Sequence, residues 1–377
     1  MFTKLVIKLA RMNWILFILI VALSIFGLVC IYSATYMRDN IYLAKSWERQ
    51  AAWICIGLVI YFVASLTPYQ WLKWMALPVY LAGLGLLVFV HFRGTALSGA
   101  RSWIDLGPIT FQPSQIALLG VILLVAAAFS QLKIPLQRQP FLLLIIACAV
   151  VAAPLILIIE QPDLGSALVL GPAFLCMLFA AGVRKRYLIS MILAAAIVIP
   201  IGINFMLRSY QRQRFLVFLD PDLDPQGAGW TINQSLQAIG SGGFSGRGFK
   251  AEGTLTEMGF LPSTVVHNDF IFPVIAETFG FIGGAMLITG FALLLILVIY
   301  IAQRAADDFG AIIATGIAGV LFTHIFINIG MTIALTPITG LPLPFISYGG
   351  TFMVVLMSMM GVVQSIAVHR KPIEVDE

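Results

Sequence analysis

Charge is scarce in this chain. Only 10% of its 377 residues are Asp, Glu, Lys or Arg, against 60% hydrophobic, and the mean hydropathy is +0.99. Such a composition excludes a soluble globular protein, and no nucleic-acid partner is expected. Cysteine pairing is absent too. Cys30, Cys55, Cys148 and Cys176 all lie in apolar runs with no CxxC partner, which suggests neither a disulfide framework nor a metal centre. They read as small buried apolar residues. A cleavable signal peptide is also missing, because the first apolar run is too long and has no small-x-small exit. It is expected to remain as a membrane span.

What is present is a succession of apolar runs long enough to cross a bilayer. Ten are predicted, at roughly 13–34, 48–66, 72–91, 113–131, 140–159, 166–183, 187–207, 271–300, 310–332 and 349–368. The expected fold class is therefore an all-α polytopic membrane protein, organised as one membrane domain over residues 1–377. The eighth run is long enough to tilt or to project beyond the bilayer. Ahead of the first run, residues 2–12 place Phe2, Leu5, Val6, Leu9 and Met12 on one helical face and Lys4, Lys8 and Arg11 opposite. That is the pattern of an interfacial amphipathic helix suited to an anionic cytoplasmic leaflet.

Loop charge sets the orientation. With the N-terminus inside, the inner segments hold Lys4, Lys8, Arg11, Lys73, Lys133, Arg138, Arg184, Lys185, Arg186, Arg304, Arg370 and Lys371. They hold only Asp307, Asp308, Glu374, Asp376 and Glu377 as acidic residues. Both termini are thus expected in the cytoplasm, with the long segment 208–270 outside the membrane as an extracytoplasmic loop. No internal repeat is obvious, which disfavours an inverted-repeat transporter.

Six stretches carry a more specific pattern: Gln161-Pro-Asp-Leu-Gly165, Tyr210-Gln-Arg-Gln-Arg-Phe215, Asp220-Pro-x-x-Asp-Pro-x-Gly-Ala-Gly229, Gln234-Ser-x-x-Ala-Ile-Gly-Ser-Gly-Gly243, Asn268-Asp-Phe-Ile-Phe272 and Pro342-Leu-Pro-Phe-Ile-Ser-Tyr-Gly-Gly350. In order, and over nearly the whole chain, they resemble the SEDS family (shape, elongation, division, sporulation). Gln-Arg-Gln-Arg and the Gly-Ala-Gly ending look more like its elongation branch than its division branch. The resemblance implies a peptidoglycan glycosyltransferase of the bacterial cytoplasmic (inner) membrane. It would polymerise lipid II on the outer face, beside a class B penicillin-binding protein and other elongation-complex membrane proteins. The product would be an undecaprenyl-linked glycan.

Joining sugars from a lipid diphosphate needs a hydroxyl made nucleophilic and a leaving group that departs as an anion. One base and some cationic stabilisation suffice, unlike sugar–sugar hydrolysis with its two carboxylates. Asp269, at the outer end of a span beside His267, fits the base, since partial desolvation would raise its pKa. A helix-capping aspartate is the plain alternative; the resemblance assigns this position to the family's essential aspartate. Arg101, Arg208, Arg212, Arg214, Arg247 and Lys250 are the cations available to the diphosphate, although arginines beside a membrane also meet lipid headgroups. Trp103, Gln115, Asp163, His267, Glu277 and Ser347 are expected in support. No cofactor is evident. A divalent cation such as Mg2+ or Mn2+ bridging carboxylate and pyrophosphate is chemically reasonable, and no ligand spacing demonstrates it.

Other features have plainer readings. Gly240-Ser-Gly-Gly-Phe-Ser-Gly-Arg-Gly248 offers backbone N–H groups to a phosphate but fails both nucleotide motifs. It reads more simply as a flexible loop. Asp163 and Glu277 are membrane-level carboxylates, costly unless partnered or wet. His324 and Asn328 read as an interhelical hydrogen-bonding pair. The chain also departs from the family, which usually follows Phe-Gln-Pro-Ser with a glutamate and, three residues on, a lysine. Here Gln115 and Leu118 stand instead. The approach to the aspartate, Leu261-Pro-Ser-Thr-Val-Val-His-Asn-Asp269, is two residues longer than the usual Leu-Pro-Glu-x-His-Thr-Asp and lacks its glutamate. Two rival functions remain: a flippase for lipid-linked precursors, in which Asp163 and Glu277 would matter more than Asp269, and a non-catalytic scaffold. A substrate with a long isoprenoid tail further predicts a groove open to lipid beneath the outer loops.

Overall fold

The computed structural model describes residues 2–36, 41–97, 100–105, 107, 110–132, 140–205, 209–262 and 265–370. The helices follow in chain order as α1 (Phe2–Ala10), α2 (Trp14–Thr35), α3 (Ile41–Ala44), α4 (Ser46–Leu66), α5 (Leu72–Arg93), α6 (Pro113–Leu132), α7 (Pro140–Glu160), α8 (Leu164–Ala180), α9 (Lys185–Phe205), α10 (Ser209–Leu219), α11 (Ala228–Ser241), α12 (Ile271–Gln303), α13 (Asp308–Thr332) and α14 (Gly350–Val368). Each predicted span has its helix. Among the described residues nine helices are long and apolar enough to cross a membrane, and the tenth, α8, is apolar but only 17 residues long.

Chain direction alternates from span to span, so connections gather at two ends. One end collects α1, the turn after α4 and the end of α14: Lys8 Nζ reaches Leu66 O at 2.6 Å, and Ser365 Oγ reaches Thr67 O at 2.5 Å. The other collects the outer segment and residues 333–349, where Gly349 N donates to Gln50 Oε1 of α4 at 3.1 Å. The interior is built on α13 and α14, with α8 packed along α13, α4 along α14, and α5 along α6. Small residues allow the closest approach: side chains at Gly83 and Gly120 would meet the backbone of Ala117 and Tyr80 at 2.7 Å. By contrast, no residue of the Lys185–Gly202 part of α9 is buried, so that span lies on the outside of the bundle. Cys30 is buried as expected, but Cys55 is exposed on the outward face of α4, a position the lipid would cover and which needs no packing partner.

The all-α polytopic class holds. It carries one small antiparallel sheet between α5 and α6, formed by β1 (Thr95–Leu97), β2 (Ala100–Asp105) and β3 (Thr110–Phe111). Trp103 on β2 pairs with Thr95. The segment 208–270 is more structured than a plain loop, for α10 and α11 lie within it, joined by a 3₁₀ turn at Pro221–Leu223 that Asp220 caps. Asp224 then accepts from Ala228 N at 2.9 Å and so starts α11. The Asp-Pro pairs that read as loop are helix-start signals.

The long α12 is broken. Gly280 sits at φ 66°, ψ −162°, a conformation essentially restricted to glycine. A break strips neighbouring carbonyls and N–H groups of their helical partners, which costs several kcal/mol per group away from water. The glycine-rich segment after α11 supplies the replacements. Arg247 N donates to Glu277 O (2.9 Å) and Gly248 N to Thr278 O (3.0 Å), while Phe281 N and Ile282 N donate to the carbonyls of Gly243 (2.9 Å) and Phe244 (3.2 Å). A Cβ on Gly280 would lie 2.2 Å from Gly246 N. The 240–248 cluster is therefore a brace, and the N–H groups of Arg247 and Gly248 are not offered to a phosphate.

Candidate catalytic site

Asp269 closes the turn that leads into α12. The turn folds on itself, since the N–H groups of Asn268, Asp269 and Phe270 all converge on Val265 O at 3.0, 3.0 and 3.2 Å. Its three successive carbonyls are held from elsewhere. His267 O accepts from Tyr348 N at 2.9 Å. Asn268 O accepts from Ser347 Oγ at 2.5 Å, and Asp269 O from Asn328 Nδ2 at 2.9 Å. The donors are fixed in turn. Ser347 Oγ accepts from Leu343 N (2.8 Å), and Asn328 also donates to Leu341 O (2.7 Å). Gln50 of α4 donates to Ser347 O at 3.2 Å. Beneath them Phe345, 1% exposed, is held at φ 65°, a conformation that is strained for a bulky residue and persists only where its surroundings over-determine it. The result is a carboxylate on a backbone with little freedom, as a positioned base requires.

Its electrostatics suit the same role. Burial pushes the Asp269 carboxyl up to about 6, against an opposing pull from the Arg214 guanidinium. The residue as a whole is partly buried, while its carboxyl is desolvated. Arg214, on α10, also donates to Ile338 O at 3.3 Å. Gly340 lies against the carboxylate: a Cβ there would be 3.4 Å from Asp269 Oδ2. His267 is buried with its ring 5.3 Å from that of Tyr348. Asp269, Arg214, His267 and Ser347 are thus gathered in one place.

The other predicted residues lie as follows. Arg212 and Arg247 are exposed, and Arg247 Nε donates to Ser241 O at 3.2 Å. Lys250 bonds Tyr32 Oη at 2.9 Å and stands over the rings of Tyr32, Tyr36 and Phe249. Arg101 belongs to β2, with its side chain outside the described part, and Arg208 lies outside the described residues. Asp163 caps α8, accepting from Ser166 N (3.1 Å), Ser166 Oγ (2.7 Å) and Gln112 Nε2 (2.7 Å). Gln115 is buried in the first turn of α6. Glu277, 1% exposed, accepts from Leu255 N (2.6 Å), Thr256 N (3.0 Å), Thr256 Oγ1 (2.5 Å) and Ser241 Oγ (3.3 Å), and so pins the outer segment to α12. Four donors are what make a carboxylate tolerable at that depth. Among the described residues no three His, Cys, Asp or Glu side chains group to hold a metal.

Reading the sequence missed the clamp. His324 and Asn328 bond loop carbonyls, His324 Nδ1 lying 3.2 Å from Pro342 O, instead of forming an interhelical pair. Gln50 lies outside every quoted stretch, and Tyr348 stands within the Pro342–Gly350 stretch without an assigned role. A polar side chain inside an apolar run was the one available signal for Gln50 and Asn328.

Residues 13–372 match the model of the family described as cell cycle protein, FtsW/RodA/SpoVE. The peptidoglycan glycosyltransferase MrdB of Escherichia coli (strain K12) is 38% identical over 354 residues, 94% of this chain and 93% of that protein. The probable peptidoglycan glycosyltransferase FtsW of Geobacter metallireducens is 34% identical over 376 residues, 97% and 96% of the two chains. Among solved structures, a chain from a peptidoglycan synthase complex that coordinates polymerization and crosslinking superposes with a TM-score of 0.77 at 30% identity, over 94% of this chain and 97% of that one. The rod shape determining protein RodA of Thermus thermophilus superposes at 0.68 with 27% identity, over 96% and 98%.

Proposed function

The chain belongs to the FtsW/RodA/SpoVE family, and on that premise we propose that it is a peptidoglycan glycosyltransferase that polymerises lipid II during cell-wall elongation, with Asp269 as its general base. The 38% identity to MrdB against 34% to the FtsW relative favours the elongation branch. The protein works in the bacterial inner membrane with a class B penicillin-binding protein, as the synthase-complex neighbour supports. Both termini face the cytoplasm and the Asp269 end faces outward, a reading supported by the basic residues of the short connections, Arg184, Lys185 and Arg186 above all. Spans and outer segment work as a single membrane domain.

In the reaction the GlcNAc 4-hydroxyl of the acceptor attacks the anomeric carbon of the MurNAc that links the growing chain to undecaprenyl diphosphate. The hydroxyl proton passes to the Asp269 carboxylate. The new glycosidic bond forms as the bond to the diphosphate oxygen breaks, and the lipid diphosphate leaves as an anion. One in-line displacement inverts the centre from α to β. Arg214 balances charge near the reacting groups, a role its pull on the Asp269 carboxyl supports. The lipid tail needs access from the bilayer, and the unburied α9 supports such a route beside the outer segment.

The carrying observation is a desolvated carboxyl held near pKa 6 on a backbone fixed at three consecutive carbonyls. A flippase that depended on Asp163 and Glu277 would need those carboxylates available, and both are occupied by several donors. The test uses purified protein with its transpeptidase partner and labelled lipid II. Asp269→Ala should abolish polymer; activity equal to wild type would overturn the assignment, and lipid II crossing liposomes without polymerising would favour the flippase.

A further inference from the structure

At the end of the bundle opposite Asp269 lies an open hollow of about 220 Å³, lined by Ile7, Lys8, Arg11, Val368 and His369. Three helix ends meet there: the C-terminus of α1, the C-terminus of α4 and the C-terminus of α14. Lys8 Nζ donates to Leu66 O at 2.6 Å, a bond to a neutral carbonyl that anchors the ammonium without cancelling its charge. Among the described residues, Asp307 is joined to this rim through Tyr69, whose ring stands 6.4 Å from that of His369. It is already engaged by Lys73 Nζ (3.1 Å), Tyr69 Oη (2.9 Å) and Gly310 N (2.9 Å). Among the described residues no carboxylate pairs with Lys8, Arg11 or His369. His369 Nδ1 lies 2.8 Å from Ser365 O, which leaves Nε2 as the ring nitrogen able to meet a ligand. A wall of Ile7 and Val368 completes a site that is cationic on one side and apolar on the other.

Its depth is marked independently. Trp14, Trp71 and Trp74 all sit at this end with 45%, 68% and 87% of their surface exposed. Exposed tryptophans of a multi-span protein collect at the headgroup level of the bilayer. Val6 and Ile7 of α1 are exposed as well, as suits a helix lying in the interface.

We propose that this hollow binds the phosphate of an anionic phospholipid headgroup, with Lys8, Arg11 and His369 around the phosphate and the acyl chains running past Ile7 and Val368. The bound lipid would hold α1 against the ends of α4 and α14, so the site would fasten the N-terminal helix to the bundle. Free phosphate shares the headgroup's chemistry but lacks the chains that the apolar wall accommodates.

Native mass spectrometry of the full-length protein in a phosphate-free, non-ionic detergent tests this, with phosphatidylglycerol, phosphatidylcholine and inorganic phosphate titrated in separate arms. The expected result is one saturable phosphatidylglycerol per chain and no comparable phosphatidylcholine. Retention should weaken roughly five-fold in Lys8→Gln or Arg11→Gln and roughly thirty-fold in the double variant. Lys185→Gln/Arg186→Gln, at another basic connection, should retain it fully. Equal retention of both lipids, or equal retention by the Lys8/Arg11 double variant and wild type, would overturn the proposal. Displacement of phosphatidylglycerol by millimolar inorganic phosphate would overturn its lipid source. The wild-type arms decide the matter even if the double variant does not fold, and Lys8→Arg/Arg11→Lys should keep the lipid.

Discussion

Replacing Asp269 by asparagine should make the protein more stable while abolishing its activity, and the gain should depend on pH in a way the structure dictates. The folded-state pKa, about 6, lies above the ordinary carboxylate value of 3.8. The native state therefore favours the protonated form, and ionising the group costs stability. That cost is absent below about pH 4, grows between pH 4 and 6, and is complete above pH 6. Roughly two pH units at 1.36 kcal/mol each set an upper bound near 3 kcal/mol, and partial exposure of the side chain brings the expected value to about 2 kcal/mol. Asparagine is close in shape and carries no charge, so it removes this cost. Thermal unfolding of the purified protein in one detergent at one scan rate, at pH 4.5 and pH 8, measures it. The variant should melt a few degrees above wild type at pH 8, with the difference shrinking to about a third of that at pH 4.5. An offset equal at both pH values, or a variant less stable at pH 8, would refute the claim that Asp269 is held in a desolvating setting. Wild-type polymerisation should rise with pH through about 6, because only the ionised carboxylate accepts a proton.

Arg214→Gln removes the cation that opposes the burial of Asp269, so the acidic limb of that pH profile should move upward; a limb left in place would separate Arg214 from the base. Ser347→Ala leaves Leu343 N and Asn268 O without their shared partner, at about 1–3 kcal/mol each. The loosened carboxylate should lower kcat by roughly 10–100-fold with little change in KM, and a normal kcat in a destabilised variant would make Ser347 merely structural. Gly280→Ala sets a Cβ 2.2 Å from Gly246 N at a positive φ, with an expected loss of about 3 kcal/mol or more, read as loss of a monodisperse peak. Gly85→Ala, with open space around it in α5, should fold normally.

Some of this architecture can be read from residues alone. Ten apolar runs became ten helices because apolar length is nearly sufficient to specify a span, and alternation of direction follows from counting. The outer segment was harder. Asp220 and Asp224 are turn-formers by composition, yet each uses its carboxylate to start a helical turn, and only the backbone that follows distinguishes the two uses. The glycine cluster at 240–248 was legible as a place of positive φ, but not as the brace of a helix break 32 residues farther along, because Gly280 sits within an apolar run where nothing marks it. Asp269 itself rested on its position at the end of a polar stretch and on the family resemblance. The clamp that fixes it consists of side chains and N–H groups meeting main-chain carbonyls, as where Ser347 meets Asn268 O and Asn328 meets Asp269 O. A carbonyl has no sequence identity, so no residue pattern announces such a bond.

The departure at Gln115 and Leu118 has a physical basis in burial. Both side chains are 5% exposed in the first half of α6, three residues apart and so on neighbouring positions of one face. A buried charge at either position alone has no opposite partner on α6, whereas a Glu/Lys pair compensates itself, and two neutral residues need no compensation at all. The chain has taken the neutral solution and positions its carboxylate through the 324–348 clamp. Gln115→Glu alone should therefore destabilise by roughly 3–5 kcal/mol, and Leu118→Lys alone by a similar amount. Both together should be far less damaging than their sum, a coupling of about 1–3 kcal/mol or more in a double-mutant cycle. Melting temperatures of the four proteins give the cycle, and polymerisation measured alongside shows whether the restored pair alters catalysis. Additive losses would mean that Gln115 and Leu118 face different surroundings, and that the two departures from the family arose for separate reasons.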